Sequence, residues 1–169
     1  MAARVATEQA VLRAAGLRGM VVRPGNVWGR GGSFDLPAQI KMARKNGVAP
    51  HFGAGGTTHG YVHIDDMAQL FRLALERGKP GDVFHGVSEE ASQREVAAAI
   101  SRMMGLGDRT APVSLLRMLA LGGPTGLSLS VNKRLAAEHT RARLGWTPEH
   151  LGVLRDIEFG SYAVASPIA

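Results

Sequence analysis

Apolar and polar residues follow two patterns along this chain, one typical of strands and one typical of helices. Short apolar runs predict strands at 17–23, 61–64 and 82–87. Longer stretches, with apolar residues three or four apart or with many good helix formers, predict helices at 3–15, 36–45, 66–77, 93–104, 113–121, 131–143 and 149–161. Strands that alternate with helices indicate an α/β protein, which we expect to form a single domain over residues 1–169.

Polar residues stand where two of these helices are predicted to begin. Ser92 and Glu95 have the spacing of a capping box, in which each side chain accepts a hydrogen bond from the other residue's backbone N–H. Asp65 directly follows the strand at 61–64 and is the predicted N-cap of the next helix. Trp146, in the turn LGWTP, is predicted to anchor that turn against the domain.

The segment from Met20 to Gly32, MVVRPGNVWGRGG, is the first place to look for a ligand. An apolar run enters Arg23 and Pro24, and a glycine-rich loop follows. Pro24 cannot donate to a strand ladder, so the strand is predicted to end there. Ligands in open α/β sheets bind at the carboxyl ends of the strands. This loop is therefore the predicted site of binding.

Composition excludes several kinds of site. The chain has 45% hydrophobic and 20% charged residues, which is typical of a globular protein. It contains no cysteine, and this excludes disulfides and thiolate metal sites. No apolar run is long enough to cross a bilayer and no apolar leader opens the sequence. We therefore expect a cytoplasmic protein that does not bind membranes.

The net charge of +6 and the pI of about 10.5 raise the question of nucleic-acid binding. The basic residues are scattered, and the one loose cluster, formed by Lys133, Arg134, Arg141 and Arg143, has no interleaved aromatic residues. Phosphate tracking requires charge concentrated on one face. We therefore predict that the chain does not bind nucleic acid.

Five segments in this order resemble the carboxyl-terminal half of an NAD(P)-dependent epimerase/dehydratase. They are the helix around EQAVL, then RPGNVWGRGG, YVHIDDMAQLFRLALE, DVFHGVSEEASQREVAAAI and LGWTP. That family belongs to the extended short-chain dehydrogenase/reductases. The resemblance implies a partial Rossmann-like fold, with the last strands of a doubly wound parallel sheet and a small helical substrate-binding region.

The resemblance also implies roles for the residues of the loop. The residues that follow the family's strand-ending proline border the nicotinamide of NAD or NADP, and here these are Pro24, Gly25 and Val27. The residues at substrate-facing positions are Asn26, Trp28 and His59. Nucleotide-sugar members often carry an arginine at the position of His59, where it holds the diphosphate. Trp28 either walls a sugar-sized pocket or packs the loop, and the sequence leaves both interpretations open.

The chain also departs from the family pattern. A catalytic tyrosine and a lysine precede the family glutamate that Glu8 resembles; the lysine position falls on Arg4 and the tyrosine position falls before Met1. The glycines after the strand at 17–23 lack the βαβ unit of a dinucleotide phosphate loop. The resemblance thus implies a hydride-transfer family, while the sequence predicts that this chain is truncated and has no complete catalytic set.

His59, His63, Asp65 and Asp66 raise the possibility of a metal site or a proton relay. The family has a similar string of a histidine, a hydrophobic residue and two aspartates, in which the acid caps the following helix. Strand alternation directs His63 and Asp65 to one side and leaves Asp66 at the helix start. We therefore predict no metal site here.

Two functional hypotheses remain at this point. In the first, the chain is the carboxyl-terminal part of an epimerase, dehydratase or reductase and is inactive alone, with a small-molecule substrate such as a sugar nucleotide. In the second, it is a non-catalytic interaction module that pairs with another chain or its own copy, because a lone parallel strand offers unpaired edges. Both predict a partner, either a missing amino-terminal half or a second copy in a homo-oligomer.

Overall fold

The computed structural model describes residues 2–114, Leu116 and residues 131–164. The strands are β1 Val21–Pro24, β2 Asn26–Gly29, β3 Gly32–Ser33, β4 Ala49–Phe52, β5 Thr58–His63, β6 Val83–Gly86, β7 Glu89–Ser92 and β8 Thr110–Val113. The helices are α1 Ala2–Arg13, α2 Leu36–Asn46, α3 Ile64–Arg77, α4 Gln93–Met103, α5 Glu138–Leu144, α6 Val153–Phe159 and α7 Ser161–Val164. The mixture of parallel strands and helices confirms the predicted α/β class.

Three small sheets carry these strands. Strands β1 and β6 form a parallel pair, and β4 and β8 form a second one. The third sheet has the order β3-β2-β5-β7, in which β2 and β5 are parallel and the two outer pairs are antiparallel. Only one residue separates β1 from β2. The end of the β1–β6 pair therefore lies beside the four-stranded sheet.

The two faces of β2 and β5 are buried in different cores. Trp28 and Tyr61 lie in a core with residues of α2, α4 and α6. Val62 and, in part, Val27 lie in a second core with residues of α3, β6 and α5. This separation follows from strand geometry, because successive side chains point to opposite faces. Polar side chains that share the Trp28 face are consequently brought together.

The glycine-rich loop predicted after Pro24 contains regular structure. Asn26, Val27 and Trp28 pair with residues of β5, and a two-residue turn then connects β2 to β3. The turn requires a left-handed backbone at Arg30, with a φ of 55°. Strands β2, β3, β7 and β8 were not predicted, because they are short and lack alternation.

Local helix signals are confirmed in one place and wrong in another. Ser92 and Glu95 form the predicted capping box at the start of α4. The prediction that Asp65 caps α3 is wrong, because the helix begins at Ile64 and the ring of His63 accepts a hydrogen bond from the Asp65 backbone N–H at 3.3 Å. The Asp65 carboxylate instead accepts a hydrogen bond from Arg30 at 2.7 Å.

Tertiary contacts shorten the last predicted helices. The predicted helix at 131–143 is present only as α5, because Lys133 pairs with β5 through its backbone N–H and C=O. The predicted helix at 149–161 begins at Val153, because the backbone N–H groups of Glu149 and His150 donate to the Asp66 carboxylate. Most of the predicted helix at 113–121 lies outside the described residues, and its first residue, Val113, ends β8.

Among the described residues, no helix is both long enough and apolar enough to span a membrane.

Candidate functional site

The candidate site forms where β1 ends and β2 begins. The Gly25 backbone N–H donates to the carbonyl of Gly86 at 2.9 Å, which holds the end of β1 against β6. A Cβ atom on Gly25 would lie 2.6 Å from the carbonyl oxygen of Gly60, so only glycine allows this close approach to β5. Pro24 is exposed at the carboxyl end of β1.

Helix α1 is held beside this strand end by an ion pair. The Arg23 guanidinium donates to the Glu8 carboxylate at 2.6 Å, and this hydrogen bond lowers the pKa of Glu8. Arg4 lies one turn earlier on the same helix and is exposed. The contact therefore places Arg4 on the helix that flanks β1.

A hydrogen-bonded group of three side chains lies on the inner face of β2 and β5. The amides of Asn26 and Gln93 both donate to His59 Nδ1, at 3.3 Å and 3.0 Å. His59 Nε2 lies 3.1 Å from the carbonyl oxygen of Val131, which can only accept. His59 is therefore a neutral ring that carries its proton on Nε2. Sequence reasoning singled out Asn26 and His59 separately and missed Gln93.

Tyr61 is a buried member of the same face that sequence reasoning also missed. It pairs in register with Asn26, and it is fully buried. Burial, reinforced by the negative charge of Asp35, raises the pKa of its hydroxyl. The Asn26 and Gln93 amides lie beside the hydroxyl and oppose that rise, but no described residue meets it at hydrogen-bonding geometry. Residues 59, 61 and 63 alternate along β5 and therefore point to one face. This pattern could have indicated that Tyr61 lies beside His59.

Trp28 packs inside the core in this structure. Its side chain is 3% exposed, and its ring meets the ring of His63 edge to face with centroids 4.7 Å apart. The geometry favours the packing interpretation of Trp28 over a role as a pocket wall.

Tyr162 and Ser161, which sequence reasoning did not single out, hold the turn that follows Trp28. The Tyr162 hydroxyl accepts a hydrogen bond from the Gly29 N–H at 2.9 Å and donates to the Gly32 carbonyl at 2.6 Å. The Ser161 hydroxyl accepts from the Gly31 N–H at 2.8 Å. A phosphate cradle needs free backbone N–H groups. Two of these amides are already bonded to side chains, so the turn does not fit a dinucleotide pyrophosphate.

The predicted cofactor residues separate in space. Pro24 and Gly25 lie at the carboxyl end of β1, directly before Asn26. Val27 points to the opposite face and packs against the core that contains Val62. Its side chain is therefore not part of the polar face formed by Asn26 and His59.

Two of the residues considered as metal ligands, His63 and Asp65, lie close to His150, which sequence reasoning did not consider. His63, Asp65 and His150 each place a donor atom within 4.8 Å of the other two. The rings of His63 and His150 stack with centroids 4.4 Å apart, and burial lowers the pKa of His63. Asp66 lies next to this group, and its carboxylate accepts a hydrogen bond from His150 Nδ1 at 2.9 Å. Parallel stacked rings cannot both direct a lone pair at one ion, so the geometry gives no reason to change the prediction of no metal.

The comparisons with known proteins agree with the resemblance. A family model described as the NAD dependent epimerase/dehydratase family matches residues 1–85. The uncharacterized protein YLL056C of Saccharomyces cerevisiae is 31% identical in an alignment of 166 positions that covers 91% of this chain and 52% of that protein. A dTDP-4-dehydro-6-deoxy-D-allose reductase of Streptomyces sp is 30% identical in an alignment of 95 positions that covers 53% of this chain and 29% of the reductase.

Solved structures show the same fold. The crystal structure of UDP-glucose 4-epimerase with UDP-glucose from Thermotoga maritima superposes with a TM-score of 0.73 at 18% identity, over 97% of this chain and 52% of the epimerase. The fold is therefore Rossmann-like, as predicted. The chain spans about half the length of the curated relatives that it matches over most of its own sequence, with shares of 52% and 50%. The family model, which matches half of the chain, shows that this protein belongs to the NAD-dependent epimerase/dehydratase family.

Proposed function

We propose that these 169 residues form the substrate-facing half of an NAD(P)-dependent epimerase, dehydratase or reductase that acts on a sugar nucleotide. The observation that carries this proposal is the polar face at the strand end, where Asn26 is hydrogen bonded to the buried ring of His59. A buried ring that is bonded on both nitrogens holds the Asn26 amide in a fixed orientation. A few fixed polar groups that orient the ligand are what a substrate site requires.

Each residue takes a limited role in this proposal. Asn26 forms a hydrogen bond with the sugar, and His59 fixes the orientation of the Asn26 amide through their own hydrogen bond. Pro24 and Gly25 border the nicotinamide ring, and Val27 contributes only its backbone. The dinucleotide supplies the hydride chemistry when it is bound. Support for the sugar-nucleotide class comes from the similarity of this chain to the Streptomyces dTDP-4-dehydro-6-deoxy-D-allose reductase and to the epimerase solved with UDP-glucose.

We further propose that the chain is catalytically inactive alone. The family chemistry needs a tyrosine as acid or base, and the two tyrosines of this sequence, Tyr61 and Tyr162, are both buried and lie far along the chain from Arg4. Arg4 carries a positive charge but does not have the shape of a lysine that holds a ribose. Activity would then require a tyrosine and a phosphate loop from chain outside these residues.

Ligand binding tests the first part. Saturation-transfer NMR with UDP-glucose and with dTDP-glucose should show binding to the purified chain, and Asn26→Ala should weaken it at least tenfold. Asn46→Ala, at the exposed end of α2, is the matched control and should leave binding unchanged. Equal binding by both variants would contradict the assigned role of Asn26.

Turnover tests the second part. We expect no oxidation of NADH or NADPH, and no epimerisation, when the chain is incubated with either sugar nucleotide. Ordinary turnover by the chain alone would refute the proposal. The nucleotide sequence upstream of the Met1 codon gives an independent check, since an in-frame tyrosine codon and a glycine-rich fingerprint there would supply the two elements that are needed.

A further inference from the structure

Two amide groups converge on a single ring nitrogen in the polar face of β2 and β5. Gln93 Nε2 lies 3.0 Å from His59 Nδ1, and Asn26 Nδ2 lies 3.3 Å from the same atom. An imidazole nitrogen accepts a hydrogen bond when it carries no proton and donates one when it does. Two donors at Nδ1 therefore favour the neutral ring of His59 over the imidazolium.

Gln93 is the buried member of this pair of amides. It is the first residue of α4 and is fully buried. Its backbone N–H donates to the carbonyl of Thr57 at 2.9 Å, which holds the start of α4 against the chain that enters β5. Asn26 is half-buried at the start of β2. A ligand can therefore reach Asn26, whereas Gln93 can act on a ligand only through His59.

The bond to His59 determines which atom of Asn26 a ligand meets. Because Asn26 Nδ2 faces the lone pair of Nδ1, the amide oxygen Oδ1 points away from the ring. Among the residues that the structure describes, none donates a hydrogen bond to this oxygen. An amide oxygen can only accept. The ligand group that suits it is a donor, such as a sugar hydroxyl, and an ionised phosphate oxygen does not suit it.

A charged ring would reverse this arrangement. With a proton on each nitrogen, His59 would still donate from Nε2 to the Val131 carbonyl, which lies 3.1 Å away. Its Nδ1–H would then face two amide donors, and two donors cannot bond to each other. Asn26 would have to turn its oxygen to the ring and present its NH₂ group to the ligand. The charge of His59 thus decides whether Asn26 accepts or donates.

We propose that Gln93 is a positioning residue, which keeps His59 neutral and thereby makes Asn26 an acceptor for a hydroxyl group of the ligand. This inference rests on the proposed function. It identifies the sugar of the sugar nucleotide, and not its diphosphate, as the part that contacts Asn26.

Nitrogen NMR of the His59 ring in the whole chain tests the charge at neutral pH. In the wild type, Nε2 should carry a proton and Nδ1 should not. Gln93→Glu should place a proton on both nitrogens, because a carboxylate only accepts and the first turn of α4 stabilises its negative charge. Gln9→Glu makes the same change at an exposed position of α1 and should leave the ring neutral. A proton on Nδ1 in the wild type, or a neutral ring in Gln93→Glu, would overturn the proposal.

Gln93→Met keeps the test decisive if a buried carboxylate prevents folding. Methionine has a similar length and no amide donor, so Nδ1 would keep only the bond from Asn26. The Nδ1 resonance should then move towards that of a ring nitrogen without a hydrogen bond. An unchanged resonance would contradict the role of Gln93.

Ligand binding tests the consequence for Asn26. Analogues of UDP-glucose with fluorine in place of one sugar hydroxyl cannot donate at that position, and one of them should bind the wild type at least tenfold more weakly than UDP-glucose. This ratio should disappear in Asn26→Ala and fall at least threefold in Gln93→Glu, because the turned amide no longer needs a donor. Gln9→Glu should leave it unchanged. Equal binding of UDP-glucose and every analogue, or an unchanged ratio in Gln93→Glu, would refute the inference.

The two measurements separate this inference from the proposed function. If UDP-glucose did not bind, the proposed function would fail, and the ring signals of His59 would still decide whether Gln93 sets its charge. If UDP-glucose bound through Asn26 while His59 carried a proton on Nδ1, only the role of Gln93 would be lost.

Discussion

The two tyrosines provide a matched pair for measuring what a buried hydroxyl contributes. Tyr61 and Tyr162 are 0% and 1% exposed. The Tyr162 hydroxyl accepts from the Gly29 N–H and donates to the Gly32 carbonyl, whereas the Tyr61 hydroxyl has no hydrogen-bond partner among the described residues. Replacement of each by phenylalanine removes one oxygen atom from a similar environment and leaves the ring in place.

The two substitutions should change the free energy of unfolding by different amounts. Tyr162→Phe leaves the buried N–H of Gly29 without a partner, which costs about 1–3 kcal/mol, and loses a bond to the exposed Gly32 carbonyl, worth about 0.5–1.5 kcal/mol. We expect a loss of roughly 2–4 kcal/mol in the free energy of unfolding. Tyr61→Phe removes an unpaired polar group, so stability should stay within about 0.5 kcal/mol of wild type or rise.

Urea unfolding followed by circular dichroism measures both variants. The Tyr162 variant should have a lower midpoint at an unchanged slope, since the change affects stability and not the surface exposed. Equal destabilisation by the two substitutions would refute the reasoning, because it would mean that ring packing or an additional partner of Tyr61 dominates.

Alkaline pH gives a second measurement on the same residue. Burial raises the pKa of Tyr162 from about 10 to about 12. The neutral phenol is therefore favoured in the folded chain, so its contribution is complete below pH 10 and is lost as the pH rises towards 12. Tyr162→Phe should flatten the fall in stability across that window, and an unchanged fall would contradict this assignment.

Three further predictions concern single contacts. Gly25→Ala should destabilise the fold by about 1–3 kcal/mol, because its Cβ would lie 2.6 Å from a carbonyl oxygen of β5, while Gly56→Ala, with open space around the Cβ, should be nearly neutral in the same thermal unfolding assay. Ser92→Ala removes the cap of α4 and should cost about 1 kcal/mol in urea unfolding; a change below about 0.3 kcal/mol would argue against the capping box. The hydrogen bond to Asp66 raises the pKa of His150, so this contribution is present below the ordinary value of 6.5 and is lost as the pH rises through the folded value. As the pH rises above 6.5, the free energy of unfolding should fall less in His150→Asn than in the wild type. Equal pH profiles of the two proteins would exclude a stabilising pair between His150 and Asp66.

The parts of the fold that were predicted correctly depend on neighbours in sequence. The capping box of Ser92 lies within four residues, and the strand at 82–87 and the end of α3 before Gly78 are likewise local. The wrong prediction of a helix at 131–143 depends on distant partners. Residues around Lys133 have good helix propensity, but their backbone groups bond to β5 more than 70 residues away. Such pairing overrides propensity, which is weak for any single residue.

The candidate site divides in the same way. Asn26 and His59 were identified from their positions in a family pattern, yet nothing in the sequence indicated that the two side chains are in contact. Gln93 and Tyr162 were missed because their roles depend on where α4 and α7 meet the β2–β5 sheet. Nothing in the sequence indicated that Arg30 lies 2.7 Å from Asp65.

By itself, the sequence determined the α/β class, the absence of cysteine chemistry and the strand end at Pro24, since these follow from composition, local pattern and residue type, and its resemblance to known proteins indicated the family. Only the tertiary structure decided that Trp28 is buried, that His59 is a neutral ring bonded on both nitrogens, and that the glycine turn is closed by Tyr162 and Ser161. The physical reason is distance along the chain. A hydrogen bond or a buried contact between residues 30 to 130 positions apart is fixed by how the elements pack, and no local pattern records that packing.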